Sequence, residues 1–171
     1  MTVTSPVSLS SNAKFAHRFD IDQIVNSELL VPQFHSDSKI GAIKELIDKM
    51  HEQGVITDSL IFLQSVLERE QLQSTILGGE VALPHARSRC VRDLGLAMGI
   101  AHRPIDFPSG DERHSVRLIC LIAVPAHAPD LYLNLLGSLA RTLNDQERRA
   151  ALIAAESAAE MQALLLDPIN R

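Results

Sequence analysis

Hydrophobic residues recur every three or four positions in two stretches of the first half of the chain, a spacing that places them on one face of a helix. The first stretch consists of Ile43, Leu46, Ile47 and Met50, and the second of Leu60, Leu63, Val66 and Leu67. Ser36-Asp37-Ser38 precedes the first stretch and Thr57-Asp58 the second, and both are typical helix starts. Since Gly54 follows the first stretch, the pattern predicts two consecutive helices, the second ending near Glu70.

The last part of the chain predicts three more helices. A wide apolar face follows Pro129-Asp130 and consists of Leu131, Leu135, Leu136, Leu139 and Leu143. Asn144-x-x-Glu147 and Ser157-x-x-Glu160 both have the spacing of a capping box, in which the first side chain accepts a hydrogen bond from the backbone three residues later. These two motifs predict two short helices after the longer one.

Short apolar runs between the two groups of helices predict strands. Residues 95–101 are small and apolar, and residues 115–124 are rich in Val, Ile and Leu, so each run predicts a buried strand. Residues 75–83 predict a glycine-containing loop that enters a strand, residues 21–31 could hold a short strand, and residues 103–114 predict a loop. Helices on either side of a block of strands predict an α/β (α+β) sandwich, a central mixed β-sheet flanked by helices in a single domain. The pattern does not give the order of the strands.

Length and composition narrow the classes of function. The chain has 171 residues, of which we expect 1–15 to form a flexible leader and 16–171 one domain. Its net charge is −5 with no basic stripe, so no nucleic-acid partner is expected. Its apolar runs are far short of the roughly 20 residues that membrane insertion requires.

The cysteines and histidines lack the spacing of redox or metal sites. Cys90 and Cys120 form no C-x-x-C pair, which favours a reduced, cytoplasmic protein. The histidines lack the spacing of metal ligands, and neither a metal nor another cofactor is expected.

Pro84-His85 is the pair whose own properties suggest chemistry. It lies where a predicted strand ends in a loop, a place where scaffolds often present reactive side chains. Pro84 fixes its own φ and restricts Leu83, so the approach to His85 is stiff. A histidine that merely caps a strand end would fit the same residues.

The segment that leads to His85 has a more specific pattern, Arg69-Glu70-x-Leu72-x-Ser74-Thr75-x-Leu77-Gly78-x-x-Val81-Ala82-Leu83-Pro84-His85. It resembles the active-site signature of enzyme IIA components of the bacterial phosphoenolpyruvate-dependent phosphotransferase system, in the fructose/mannitol class that includes the nitrogen-regulatory branch. The resemblance covers nearly all the chain after the leader. It takes in Ser38-Lys39, Pro104-Ile105-Asp106-Phe107 and Leu133-x-Leu135-Leu136-x-x-Leu139-Ala140.

The resemblance implies a phosphoryl relay. The small histidine-containing phosphocarrier protein would donate, and His85 would accept on one ring nitrogen while a hydrogen bond from the other to a carbonyl fixes the tautomer. Arg69 would offset the charge of the transferring group. Thr75 and Gly78 would shape the pocket, and Arg87 would be a weaker phosphate contact or a docking residue. The phosphoryl group would then pass to enzyme IIB or regulate a target protein, and the lack of a IIB or IIC segment in this chain slightly favours the nitrogen-regulatory case.

One position departs from the family pattern. Many members carry a second histidine at the start of the later helix, where this chain has Tyr132. A tyrosine hydroxyl can donate to a phosphoryl oxygen but brings no positive charge near neutral pH, so we expect Tyr132 to line the pocket. His127 is an alternative replacement, although a solvated loop histidine is the more common case. Ile76 and Glu80 stand where the nitrogen-regulatory branch often has glycine, so the turn assigns no branch.

Two other functions stay open. An interaction module on the same fold, without phosphoryl transfer, would explain Tyr132 but not the retention of Arg69 and His85. A hydrolase that used His85 with Ser74 or Ser88 would have no supporting motif such as G-x-S-x-G.

Overall fold

The computed structural model describes residues 21–128 and 130–167, so the expected leader and Pro129 lie outside the described residues. Two 3-10 turns, Ile21–Gln23 and Ser27–Leu29, open the described chain. The helices that follow are α1 (Lys39–Glu52), α2 (Ser59–Leu72), α3 (Asp130–Asn144), α4 (Gln146–Ile153) and α5 (Ala158–Leu166). The strands are β1 (Leu30–Val31), β2 (Ile76–Gly78), β3 (Val81–Ala82), β4 (His85–Ser88), β5 (Gly95–Asp106) and β6 (Ser115–Pro125).

The strands form one mixed sheet with β6 near its centre. On one side, β5 pairs with β6 in the antiparallel direction, and β1 pairs with β5 in parallel. On the other side, β3 and then β4 pair with β6 in parallel, and β2 pairs antiparallel with β3. The predicted central mixed sheet is confirmed, and its order is β1-β5-β6-β3-β2 with β4 beside β6.

Each face of the sheet buries its own hydrophobic cluster, because successive side chains of a strand point to opposite faces. Cys120 and Ile122 of β6 pack in the cluster of α3, α4 and α5, whereas Leu121 and Ala123 pack in the cluster of α1 and α2. Two helical layers therefore enclose the sheet, as the predicted sandwich requires. Within the described ranges, no helix is long and apolar enough to cross a membrane.

Side-chain caps begin α1, α2, α4 and α5, and all but one of these four lie where the sequence predicts them. Ser38, Asp58 and Ser157 accept hydrogen bonds from the backbone N–H three residues later, at 3.1, 2.9 and 3.1 Å. Each bond satisfies a donor that has no partner within its helix. The cap of α4 is Asp145 and not the predicted Asn144. Since Asn and Asp are nearly equal as caps, the pattern could not choose between the two neighbours.

The strand β5 continues into a region for which the sequence predicts a loop. It runs through Pro104, where its pairing register with β6 shifts. Proline cannot donate to a sheet and is tolerated at such an irregularity. Arg117 of β6 donates to the Ala101 carbonyl at 3.3 Å and so satisfies an acceptor beside the shift. The loop predicted over residues 103–114 is therefore wrong for its first four residues.

The buried face of α2 also differs from its predicted stripe. Phe62 and Val66 are fully buried and Glu70 is buried as well, whereas Leu60 is 75% exposed. The sequence is ambiguous here, because apolar residues occupy four consecutive positions at the start of this helix. Packing against α1 and the sheet selects Phe62, and this rotation of the helix turns Glu70 inward.

The burial of Phe62, and not of the predicted Leu60, can be tested by the stability of two variants. Phe62→Ala should lower the free energy of unfolding by about 3–5 kcal/mol, because it empties a fully buried site in the cluster. Leu60→Ala should change it by no more than about 0.5 kcal/mol, as expected for an exposed side chain. Equilibrium urea unfolding followed by circular dichroism measures both. Equal losses in the two variants would contradict the assignment.

Candidate active site

His85 is the first residue of β4 and is separated from the end of β3 by two residues, Leu83 and Pro84. Leu83 and Pro84 interrupt the pairing of these two strands with β6. The Leu83 N–H donates to the Thr75 carbonyl at 2.8 Å, and the Pro84 carbonyl accepts from the Ile122 N–H at 3.0 Å. The sequence predicts a loop position for His85, which is wrong. The backbone of His85 is part of the sheet, which holds it more firmly than a loop would.

Both ring nitrogens of His85 have a partner. The Nδ1 atom lies 2.9 Å from the Leu83 carbonyl oxygen, and Nε2 lies 3.0 Å from the Tyr132 hydroxyl. A carbonyl can only accept, so in the neutral ring Nδ1 carries the proton and Nε2 presents its lone pair, to which the tyrosine donates. The two rings lie 4.9 Å apart between centroids. This arrangement fixes one tautomer and makes Nε2 the nucleophilic atom.

The surroundings keep both rings neutral. Burial lowers the pKa of His85, and the Arg69 charge lowers it as well, while the hydrogen bond to Leu83 and the Glu70 carboxylate raise it. The net shift is downward from the usual value near 6.5. Burial raises the pKa of Tyr132, and Arg69 opposes that shift. The ring of His85 therefore stays neutral to a lower pH than an exposed histidine would.

Tyr132→Phe should lower the pKa of His85, because the Nε2–H of the charged ring can donate to the tyrosine hydroxyl, and phenylalanine cannot accept this charge-assisted hydrogen bond. Phenylalanine keeps the aromatic packing and removes only the hydroxyl. Titration of the His85 ring proton signals by NMR measures the change. Thr142→Val is a matched control on the same helix, since its hydroxyl donates to the Ser138 carbonyl at 3.1 Å. A pKa that does not move in Tyr132→Phe would remove this hydrogen bond from the site in solution.

Arg69 supplies positive charge from the last turn of α2. Its Nη1 donates to the Gln73 carbonyl at 3.0 Å, which anchors the guanidinium at the end of the helix. Within residues 21–128 and 130–167, its remaining N–H groups make no hydrogen bond. The charge acts on both His85 and Tyr132, because it lowers the pKa of each. The guanidinium charge therefore favours the approach of an anion to Nε2.

Thr75 immediately precedes β2, and Gly78 is the last residue of β2, before the turn that leads to β3. The predicted loop is a hairpin here, because Ile76–Gly78 forms the additional strand β2. Gly78 has φ +100° and open space around it, so the backbone conformation and not crowding requires glycine. Thr75 is buried, and its hydroxyl donates to the Glu70 carboxylate. Thr75 therefore acts on His85 only through other groups.

The remaining candidates lie farther from the imidazole. Arg87 is two residues along β4 from His85, hence on the same face of the sheet, and it is exposed. His127 is exposed in the turn after β6, and within the described ranges it makes no hydrogen bond or ring contact with His85. No three His, Cys, Asp or Glu side chains among the described residues are grouped so that they could hold a metal ion.

Glu70 and Lys39 are two further residues near the site, to which the sequence pattern assigns no role. Glu70 is buried and forms an ion pair with Lys39 at 3.0 Å. A signal existed, because Glu70 follows Phe62 and Val66 at four-residue intervals and so lies on the same helical face. The run of apolar residues at the start of α2 conceals this signal, because it also allows a face that contains Leu60. The pairing with Lys39 on α1 could not be read from local spacing.

Known proteins with similar sequences and folds identify the family. Residues 23–167 match the family described as "Phosphoenolpyruvate-dependent sugar phosphotransferase system, EIIA 2". A fructose-specific EIIA component from Haloferax volcanii is 31% identical, over 88% of this chain and 97% of that protein. The nitrogen regulatory protein IIA-Ntr from Neisseria meningitidis has a TM-score of 0.75 and 28% identity, over 85% of this chain and 98% of that one.

A third similarity concerns the fold alone. Enzyme IIA of the Escherichia coli mannitol system, solved in complex with phosphorylated enzyme IIB, has a TM-score of 0.68 at 21% identity, over 82% of this chain and 95% of that one. Together with the family match over residues 23–167, these similarities cover the sheet, both helical layers and the surroundings of His85. The chain therefore belongs to the EIIA 2 family of the phosphoenolpyruvate-dependent sugar phosphotransferase system, whose members are phosphoryl carriers.

Proposed function

We propose that His85 carries the phosphoryl group on Nε2 and receives it from the small histidine-containing phosphocarrier protein. The observation that carries this proposal is the 2.9 Å contact between Nδ1 and the Leu83 carbonyl, because it leaves Nε2 as the atom with a lone pair. The lowered pKa of His85 supports it, since only the neutral ring can attack phosphorus.

The transfer step exchanges one N–P bond for another. The Nε2 lone pair bonds to phosphorus as the N–P bond of the donor breaks, and the electron pair of that bond stays on the ring nitrogen of the donor. The Tyr132 hydroxyl, 3.0 Å from Nε2, must leave the lone pair before this attack and can then donate to a phosphoryl oxygen. Arg69 offsets the negative charge that accumulates on the transferring group.

The phosphoryl group then has two possible destinations, a cysteine of an enzyme IIB or a regulated target protein. The mannitol enzyme IIA that shares this fold forms a complex with phosphorylated enzyme IIB, which supports the first. IIA-Ntr, with a TM-score of 0.75 at 28% identity, supports the regulatory branch, whereas the fructose-specific EIIA component, at 31% identity, supports sugar transport, so both destinations are kept as alternatives. Cys90 and Cys120 are buried free thiols, and we place the protein in the reducing cytoplasm.

The proposal is tested by incubating the protein with phosphorylated phosphocarrier protein. The expected product gains one phosphoryl group that is acid-labile and base-stable, and ³¹P NMR should assign it to Nε2. A product phosphorylated on Nδ1 would refute the role of the Leu83 carbonyl. An unlabelled protein would refute phosphoryl transfer and favour the interaction module, for which the occupation of Nε2 by Tyr132 is the supporting observation.

A further inference from the structure

A buried ion pair joins the start of α1 to the end of α2, the two helices that cover one face of the sheet. The Lys39 ammonium, in the first turn of α1, lies 3.0 Å from Glu70 Oε2, in the last turn of α2. Their side chains are only 15% and 4% exposed. Lys39 also donates to the Pro108 carbonyl at 3.0 Å and lies 4.2 Å from the centre of the Phe107 ring. A lysine with three kinds of partner is confined to one position, and the same holds for the carboxylate it binds.

The second oxygen of Glu70 begins a series of contacts that ends at the active imidazole. Glu70 Oε1 accepts the Thr75 hydroxyl, and the Thr75 carbonyl accepts the Leu83 N–H at 2.8 Å. The Leu83 carbonyl in turn accepts the proton of His85 Nδ1 at 2.9 Å. Each of these residues thus has both its position and its orientation restricted by the next.

Folding energy is a weak explanation for this arrangement. Buried ion pairs are often replaceable by apolar residues without loss of stability, so burial of Lys39 and Glu70 is not explained by folding energy alone. Glu70 also follows Arg69 directly in α2, so the contact that fixes Glu70 fixes the helical turn from which Arg69 reaches the site. The groups that hold the nucleophile and those that hold the phosphoryl-binding cation therefore share one anchor.

We propose that Lys39, Glu70 and Thr75 form a positioning unit that sets the direction of the Leu83 carbonyl and thereby the orientation of His85. The effect on rate rests on the proposed phosphoryl transfer, whereas the effect on the ring itself does not. None of the three residues touches the transferring group. Their contribution is to hold Nε2 in line with the incoming phosphorus.

The test compares two variants that differ in one hydroxyl. Thr75→Val keeps the shape of the side chain and removes the donor to Glu70, whereas Thr75→Ser keeps the donor. Thr75→Val should slow phosphoryl acceptance at saturating donor by about tenfold, with an unchanged KM for the donor, because misorientation affects the transfer step and not docking. Thr75→Ser should remain close to the wild-type rate. The ¹⁵N shifts of the imidazole should show Thr75→Val losing the single Nδ1–H tautomer and Thr75→Ser retaining it.

Controls separate positioning from stability and from the proposed function itself. Asp48→Asn breaks the exposed Lys44–Asp48 pair on α1, which measures 2.7 Å, and should change neither readout. All variants are assayed well below their own unfolding midpoints. A folded Thr75→Val with the wild-type rate and tautomer would overturn the proposal, as would a Thr75→Ser that is equally impaired. If the wild type accepts no phosphoryl group, the proposed function fails, but the ¹⁵N shifts still decide whether Thr75 orients His85.

Discussion

His85→Gln is expected to abolish phosphoryl acceptance without unfolding the protein. Glutamine has a similar length and polarity, but its amide nitrogen offers no lone pair that can attack phosphorus. Removal of the nucleophile should lower the rate of labelling by at least about 10³-fold. Incorporation of ³²P from phosphorylated phosphocarrier protein measures the rate, and circular dichroism confirms the fold. The effect exceeds that of the other variants, because no other group described in the pocket presents a neutral ring nitrogen to a donor.

His127→Gln is the matched control for this experiment. His127 is exposed in the turn before α3 and carries the same chemical group without the fixed tautomer. The variant His127→Gln should be labelled at the wild-type rate, because His85 is intact in it. If His85→Gln were still labelled while His127→Gln was not, the acceptor would be His127, and the second histidine of the family pattern would have changed place in this chain.

The helices could be predicted from the sequence where their determinants are local. In α1 the cap Ser38 and the stop at Gly54, with φ +72°, lie within a few residues of the ends they set. In α3 the predicted Leu135 and Leu139 are fully buried, whereas Leu131 in the first turn is 43% exposed. A local pattern indicates that a face is apolar but not where the partner layer ends.

Features that depend on distant residues could not be predicted in this way. The continuation of β5 past Pro104 requires the pairing with β6 and the donor Arg117. The choice of Phe62 over Leu60 depends on the layers against which α2 packs. In each case the tertiary contact overrides a plausible local assignment.

In the candidate site too, the features set by neighbouring residues could be predicted and those set by distant residues could not. Pro84, which stiffens the approach, and the partner Leu83 lie next to His85 in sequence, so the local pattern is enough to single out His85. Tyr132 is 47 residues away from His85 in sequence, and only the family resemblance points to it. Neither spacing nor resemblance indicated the contact of Glu70 with Lys39, because it arises where two helices meet.

Arg69→Gln is expected to slow phosphoryl acceptance by about 10²-fold, comparable to the loss of one preorganised donor from a site of developing charge. Glutamine removes the positive charge but can still donate to the Gln73 carbonyl, so the end of α2 should stay folded. Arg69→Lys should give an intermediate rate, because lysine restores the charge without the planar fork of donors. Rapid-quench measurement of ³²P transfer at saturating donor gives the three rates.

The pH dependence decides which property of Arg69 matters. Its charge lowers the pKa of His85, so Arg69→Gln raises that pKa and leaves fewer neutral rings near pH 6. At pH 8, well above the usual histidine pKa of about 6.5, the ring stays predominantly neutral with or without the arginine. A deficit that persists at pH 8 therefore measures stabilisation of the transferring group. Arg87→Gln, which removes an exposed and solvent-screened cation on the same face, should change the rate by less than about threefold at either pH. A deficit present at pH 6 and absent at pH 8 would limit Arg69 to keeping the nucleophile neutral.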